Sequence, residues 1–124
     1  MLTKKIIVAL DAMGGDYAPF SVLEGAYKAL LTEALINSAV NVEYLIYGKK
    51  EILTPMIEKW PELKKSSSII HSEHKIESDD KPSYAVRNSK NTSMGMAISA
   101  VKQQNAHAVV SSGNTGALMA IAKL

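Results

Sequence analysis

The sequence contains no cysteine, which excludes disulfide bonds, thiolate metal sites and a cysteine nucleophile. It has one tryptophan and one phenylalanine, too few for the aromatic platform on which proteins stack nucleic acid bases. Its 14 basic residues nearly balance its 12 acidic residues, and the lysines are scattered, so nothing indicates a nucleic acid partner. No apolar run approaches the roughly 20 residues that a membrane-spanning helix requires.

The remaining composition is that of an ordinary globular protein, with 47% hydrophobic and 21% charged residues. A chain of 124 residues is long enough to bury a core but short for an α/β enzyme. We therefore predict a single α/β domain over residues 1–124. The absence of cysteine fits a reducing compartment, and Asp11 ends the first apolar run too early for a signal peptide. Both features favour a cytoplasmic location.

Apolar runs of strand length alternate with segments of helical periodicity along the chain. Strands are predicted over residues 5–10, 42–47, 68–71 and 107–110. Helices are predicted over 20–35, 51–60 and 92–104 and from 115 to the end, with a polar connection over 37–41. The segment 72–91 is too polar to pack as a regular element throughout. This alternation predicts a three-layer, Rossmann-like α/β fold, with a mainly parallel sheet and helices on both faces.

The most distinctive stretch, residues 109–119, joins a β-branched strand directly to a helix-forming sequence. The loop at its centre consists of Ser112, Gly113, Asn114, Thr115 and Gly116. Its glycines allow positive φ and the close approach of a ligand. The first N–H groups of a helix lack partners and the helix dipole is positive there, so phosphate fits this position. A helix cap without a ligand explains the same residues, and the loop matches neither the Walker A nor the three-glycine dinucleotide pattern.

A second glycine loop, residues 11–18, follows the first predicted strand. Because ligands of parallel α/β sheets bind beyond the carboxyl ends of the strands, the two loops are expected to face one crevice. Gly14 and Gly15 are predicted to shape that crevice. A carboxylate repels phosphate, so we expect Asp11 to accept backbone N–H groups and hold the loop, while the role of Asp16 stays open.

Three segments together resemble the PlsX family, the phosphate acyltransferases of bacterial phospholipid synthesis. They are DAMGGDYAP over 11–19, AVR over 85–87 with NTSM over 91–94, and SGNTGALM over 112–119. The family typically shows DAMGGD, AVR followed by NSSM, and SAGNTGALM, in the same order and spacing. The resemblance implies a phosphotransacetylase- or isocitrate dehydrogenase-like fold. Family members are more than twice as long, so the chain corresponds to their N-terminal part, truncated after the last loop.

The resemblance implies a reaction between inorganic phosphate and long-chain acyl-[acyl carrier protein] that gives acyl phosphate and free carrier protein. The product then serves a membrane glycerol-3-phosphate acyltransferase. The implied partners are acyl carrier protein, phosphate and, in the full-length family, a second copy of the chain. No cofactor is implied. Since phosphate is itself the nucleophile, the protein positions it and stabilises the developing oxyanion. The catalytic residues are not identified by these motifs.

The motifs and the loop chemistry together give a set of candidate phosphate-binding residues. They are Ser112, Gly113, Asn114, Thr115, Gly116, Arg87, Gly14, Gly15 and Asp16. Arg87 is expected to contact phosphate or the carrier protein through its fork of donors; the alternative is a solvated surface charge. His71 and His74 have the spacing of metal ligands, but no third ligand is evident, so no metal site is predicted.

Three functions remain open at this level. The first is the phosphate acyltransferase. The second is a non-catalytic remnant or phosphate-binding subunit of the same fold. The third is a short-chain phosphotransacetylase-like enzyme. Peripheral association with the membrane is compatible with the first. We also expect exposed apolar surface along one sheet edge, which favours dimers or aggregates when the chain is made alone.

Overall fold

The computed structural model describes residues 4–32 and 39–124. In this part of the chain, four strands form one sheet in which all neighbouring strands are parallel, in the order β3-β2-β1-β4. The strands are β1 (Lys4–Asp11), β2 (Val40–Gly48), β3 (Ser67–His71) and β4 (Ala108–Ser111). Each bound lies within two residues of its prediction. The Rossmann-like α/β fold predicted from the alternating pattern is confirmed.

The helices of the described residues follow the strands in sequence. They are α1 (Phe20–Leu30), α2 (Lys50–Ile57), α3 (Pro61–Lys65), α4 (Pro82–Arg87), α5 (Ser93–Lys102) and α6 (Thr115–Ala122). The longest, α1, has 11 residues, and none of those described has the length and apolar character needed to cross a membrane.

Three helix predictions differ from the structure. The helix predicted over 51–60 is α2, which ends at Ile57; α3 was not predicted, and it begins at Pro61 after Trp60 leaves the helical region at φ −127°. The helix predicted over 20–35 ends at Leu30; its last three residues, and part of the predicted connection 37–41, lie outside the described residues. Helix α4 was not predicted, because Ala85 is its only buried residue and gives no apolar stripe.

The two faces of the sheet are covered by different helices. On one face, α1, α2 and α3 enclose a core of Leu10, Ala12, Leu23, Ala26, Tyr44, Ile46, Leu53, Ile57 and Leu63. The Tyr44 hydroxyl donates to the Ala26 carbonyl at 3.1 Å, which joins β2 to α1, and burial raises the pKa of Tyr44. On the opposite face, α5 packs on a core of Ala9, Tyr47, Ala97, Ala100 and Ala106. Small side chains there let α5 lie close to the strands.

A third cluster joins α4, α5 and α6 to the segment that follows β3. Its buried members are Ile76, Ala85, Met94, Ile98, Ala117 and Ile121. A parallel bridge between His74 and Thr92 attaches this segment to the start of α5. The cluster therefore fixes the beginning of α6 relative to the residue 72–80 segment, and these are the two elements that border the candidate site.

Candidate functional site

The loops after β1 and β4 lie side by side at the carboxyl edge of the sheet. Asp11, at the end of β1, is in register with Ser111, at the end of β4. A Cβ atom placed on Gly15 would lie 3.2 Å from the backbone oxygen of Ser112, so the two loops are in contact. The structure thus brings together two glycine loops that are far apart in the sequence.

Asp11 is the buried centre that connects these loops. Its side chain is 1% exposed and accepts hydrogen bonds from the hydroxyls of Ser93, at 2.6 Å, and Ser111, at 2.7 Å. The Ser111 hydroxyl in turn accepts the N–H of Gly113 at 3.1 Å. Asp11 therefore holds the loops as expected, but its donors are side-chain hydroxyls and not the backbone N–H groups that we predicted. The chain of bonds joins β1, β4 and the start of α5.

The glycines of the first loop are required by space and by backbone conformation. Gly14 is buried beneath the loop, where an added Cβ would collide with the carboxylate of Asp11 and lie 3.0 Å from the Ser111 hydroxyl. Gly15 has φ of 111°, in the region that other residues rarely adopt. Gly14 thus makes room for the Asp11 network, and Gly15 turns the chain toward the second loop.

Asn114 fixes the second loop at both ends of its side-chain amide. Its oxygen accepts the N–H of Ala117 at 3.0 Å and so caps α6. Its nitrogen donates to the carbonyls of Glu77 at 3.2 Å, Ser78 at 3.4 Å and Asp80 at 2.8 Å. The side chain is thereby engaged with protein groups, so contact of Asn114 with a ligand falls to its backbone.

The two loops and the segment after β3 enclose a polar cleft of about 490 Å³. It is lined by Met13, Gly15, Asp16, Lys75, Ile76, Glu77, Ser78, Ser112, Gly113 and Asn114. The lining contains one cation, Lys75, whose ammonium lies 4.0 Å from the Glu77 carboxylate. The sequence did not indicate Lys75, because it belongs to an exposed polar segment without periodicity.

Five of the nine candidate residues line this cleft: Gly15, Asp16, Ser112, Gly113 and Asn114. Gly14 lies buried below them. Thr115 and Gly116 form the first turn of α6, outside the lining, and a Cβ on Gly116 would lie 3.0 Å from Pro82 of α4. Close packing of two helices therefore accounts for Gly116.

Arg87 lies in a neighbouring cleft of about 500 Å³ and not among the glycine loops. That cleft also contains Lys90, Asn91 and Thr92, and it shares the segment 75–77 with the first one. The cap of α5 is Thr92, whose hydroxyl accepts the N–H of Gly95 at 3.0 Å. The segment 75–77 thus borders both the cleft of the glycine loops and the cleft of Arg87.

His71 makes hydrogen bonds that explain its position without a metal. Its Nδ1 accepts the N–H of Lys50 at 3.1 Å, and its Nε2 lies 2.8 Å from the Glu73 carboxylate. The bond from His71 and the charge of Lys49 lower the pKa of Glu73. Within the described ranges, no group of three or more His, Asp or Glu residues is arranged to hold a metal ion.

Comparison with known proteins shows the family of the chain. A family model described as fatty acid synthesis protein matches residues 6–124. The chain belongs to this family. It is 44% identical over 122 residues to a phosphate acyltransferase of Wolbachia sp. subsp. Drosophila simulans, covering 98% of this chain and 35% of the relative. It is 43% identical over 122 residues to the phosphate acyltransferase of Rhodospirillum centenum, covering 98% of this chain and 33% of the relative.

A third relative gives the same result. The phosphate acyltransferase of Streptococcus pneumoniae is 44% identical over 113 residues, which cover 91% of this chain and 31% of the relative. The resemblance to the PlsX family drawn from the three motifs is confirmed. The chain spans about a third of the length of these curated relatives.

Proposed function

We propose that this chain is the phosphate-binding part of a phosphate acyltransferase that makes acyl phosphate from long-chain acyl-[acyl carrier protein] and inorganic phosphate in phospholipid biosynthesis. The observation that carries the proposal is the polar cleft between the two glycine loops, at the carboxyl edge of a parallel sheet. The names of the relatives support the reaction class.

In this reaction a phosphate oxygen attacks the thioester carbonyl carbon, and the carbon–sulfur bond breaks. The thiolate of the carrier leaves and takes up a proton, and the acyl group ends on phosphate. The chain needs to hold phosphate with one oxygen directed at the carbonyl. The donors that the cleft offers to an anion include the ammonium of Lys75 and backbone N–H groups of the two loops, apart from that of Gly113, which donates to the Ser111 hydroxyl.

Charge makes Lys75 important for phosphate affinity. The cleft also contains the carboxylates of Asp16 and Glu77, which repel an anion, so removing the one cation leaves a negative lining. All three side chains are exposed, and water and salt screen their interactions. We therefore expect the Lys75 ammonium to contribute about 1 kcal/mol to phosphate binding, which corresponds to about fivefold in Kd.

The test is calorimetric titration of the purified chain with inorganic phosphate at fixed ionic strength. Lys75→Ala is expected to weaken binding about fivefold. The control is Lys65→Ala, which removes an exposed lysine near the amino ends of β2 and β3, beside another cleft, and is expected to leave Kd unchanged. Absence of phosphate binding in the unaltered chain, or equal Kd values for the two variants, would contradict the proposal.

Measuring the formation of acyl phosphate distinguishes catalysis from phosphate binding alone. We infer that the complete reaction requires the remaining two thirds of the family fold, together with acyl carrier protein and a second copy of the chain in a homodimer. We also infer that the reaction takes place in the cytoplasm or at the membrane surface, beside a glycerol-3-phosphate acyltransferase. We propose neither a nucleic acid partner nor a cofactor. If acyl phosphate forms only after a polypeptide with the remaining fold is added, this chain is a phosphate-binding subunit. A preference for short acyl-CoA would instead favour a phosphotransacetylase-like enzyme.

A further inference from the structure

Ser93, the first residue of α5, donates a hydrogen bond from its side chain and another from its backbone. Its hydroxyl donates to one carboxylate oxygen of Asp11 at 2.6 Å, and its N–H donates to the carbonyl of His74 at 3.0 Å. The residue is 1% exposed, so water does not compete for either bond. Ser93 does not line the polar cleft, and any effect that it has on phosphate therefore passes through its two partners.

The first partner, His74, immediately precedes Lys75, the cation of the polar cleft. The N–H of His74 donates to the carbonyl of Asn91 at 3.4 Å, and its carbonyl also accepts the hydroxyl of Ser72 at 3.0 Å. Two of the three bonds to this backbone therefore come from residues 91 and 93, at the start of α5. On its amino-terminal side, the backbone of Lys75 is thus held by the start of that helix.

The second partner, Asp11, leads to the glycine loop after β4. Its other carboxylate oxygen accepts the hydroxyl of Ser111 at 2.7 Å, and the Ser111 oxygen accepts the N–H of Gly113 at 3.1 Å. An ionised carboxylate only accepts hydrogen bonds, so both serine hydroxyls are directed at Asp11. One continuous chain of bonds therefore runs from the carbonyl of His74 through Ser93 to the loop.

We propose that Ser93 is a positioning residue for phosphate, which acts through Asp11 to set the distance between the Lys75 ammonium and the N–H groups of the glycine loops. This inference rests on the proposed function, because it concerns the same phosphate. Ser93→Ala removes the hydroxyl and keeps the N–H. The segment that carries Lys75 then stays attached to α5, while α5 loses its bond to Asp11. Because the attraction between two charges falls with distance, Lys75 then contributes less to phosphate binding.

The experiment is a double-mutant cycle in which calorimetric titration with inorganic phosphate, at fixed ionic strength, gives Kd for four chains. Lys75→Ala is expected to weaken binding about fivefold in the unaltered chain and less than about twofold in the Ser93→Ala chain. Ser93→Ala alone is expected to weaken binding about fivefold. Circular dichroism confirms that each chain is folded at the temperature of the titration. A merely structural role of Ser93 lowers stability but leaves the Lys75 factor at about fivefold in both backgrounds.

Two further variants separate the bond to Asp11 from the loss of a hydroxyl as such. Ser89→Ala is the matched control, because it removes a hydroxyl that donates at 3.0 Å to the carbonyl of Val86, between α4 and α5 and away from the cleft. It is expected to leave both Kd and the Lys75 factor unchanged. Ser93→Cys fills nearly the same space with a weaker donor, so it is expected to fold and to give a Lys75 factor between about two and five.

The outcomes distinguish this inference from the proposed function. A Lys75 factor that collapses in Ser93→Ala, but not in Ser89→Ala, supports the positioning role. A factor of about five in both the unaltered and the Ser93→Ala chain, or an equal collapse in Ser89→Ala, overturns that role and leaves the proposed function standing. Failure of both Ser93 variants to fold assigns the residue to stability and also overturns it. No phosphate binding by the unaltered chain, or no effect of Lys75→Ala there, overturns both proposals.

Discussion

Replacement of Asp11 by alanine is expected to lower the free energy of unfolding by about 3 kcal/mol. The substitution removes a 1% exposed acceptor and leaves the hydroxyls of Ser93 and Ser111 without their partner. Hydrogen bonds to a charged acceptor contribute about 1.5–3 kcal/mol each, while removal of a buried charge offsets part of that loss. Chemical denaturation followed by circular dichroism measures the change.

Two further variants separate the hydrogen bonds from the charge. Asp11→Asn keeps the shape and one acceptor, so its loss is expected to be about half as large. Asp16→Ala removes a carboxylate from the same loop at an exposed position and is expected to change stability by less than about 0.5 kcal/mol. Equal stability of Asp11→Ala and Asp16→Ala would show that the buried network does not hold the loops.

Replacement of Gly14 by alanine is expected to destabilise the chain by about 2–3 kcal/mol. The new methyl group collides with the Asp11 carboxylate and approaches the Ser111 hydroxyl. Because that network sets the distance between the loops, we also expect phosphate affinity to fall by at least about tenfold. Thermal unfolding and phosphate titration of the same preparation measure both effects.

Gly25→Ala is the matched control for this prediction. It makes the same chemical change at a glycine whose Cβ position is open, and alanine in a helix interior stabilises by about 0.5–1 kcal/mol. The two substitutions are therefore expected to have opposite signs. A Gly14→Ala chain as stable as Gly25→Ala would mean that the loop accommodates the methyl group by moving, and the description of a tightly fixed cleft would be wrong.

The sheet could be predicted from the sequence because its signal is local. Residues 6–10 of β1 form an unbroken apolar run that becomes fully buried toward its carboxyl end, and its short length and β-branched residues favour a strand without knowledge of its neighbours. The meeting of the two loops followed from a general rule, since parallel strands place their carboxyl ends at one edge. The order of the three motifs along the chain matches that of the PlsX family, and this resemblance supported the same fold.

The details of the site depend on contacts between distant residues, which periodicity does not encode. The donors to Asp11 come from Ser93, 82 positions away, and Ser111, 100 positions away. Lys75 lies in the cleft because the segment after β3 is attached to both Thr92 and Asn114. The position of Arg87 beyond that segment depends on helix α4, whose polar sequence gave no helical stripe.

Amide chemical shifts recorded while inorganic phosphate is added test the central claim most directly. We expect the largest changes at the N–H groups of Gly15, Ser112 and Asn114, with sodium chloride at equal ionic strength producing none of them. Changes confined to residues at the amino ends of the strands, such as Val42 and Ser66, or no changes at millimolar phosphate, would contradict the account.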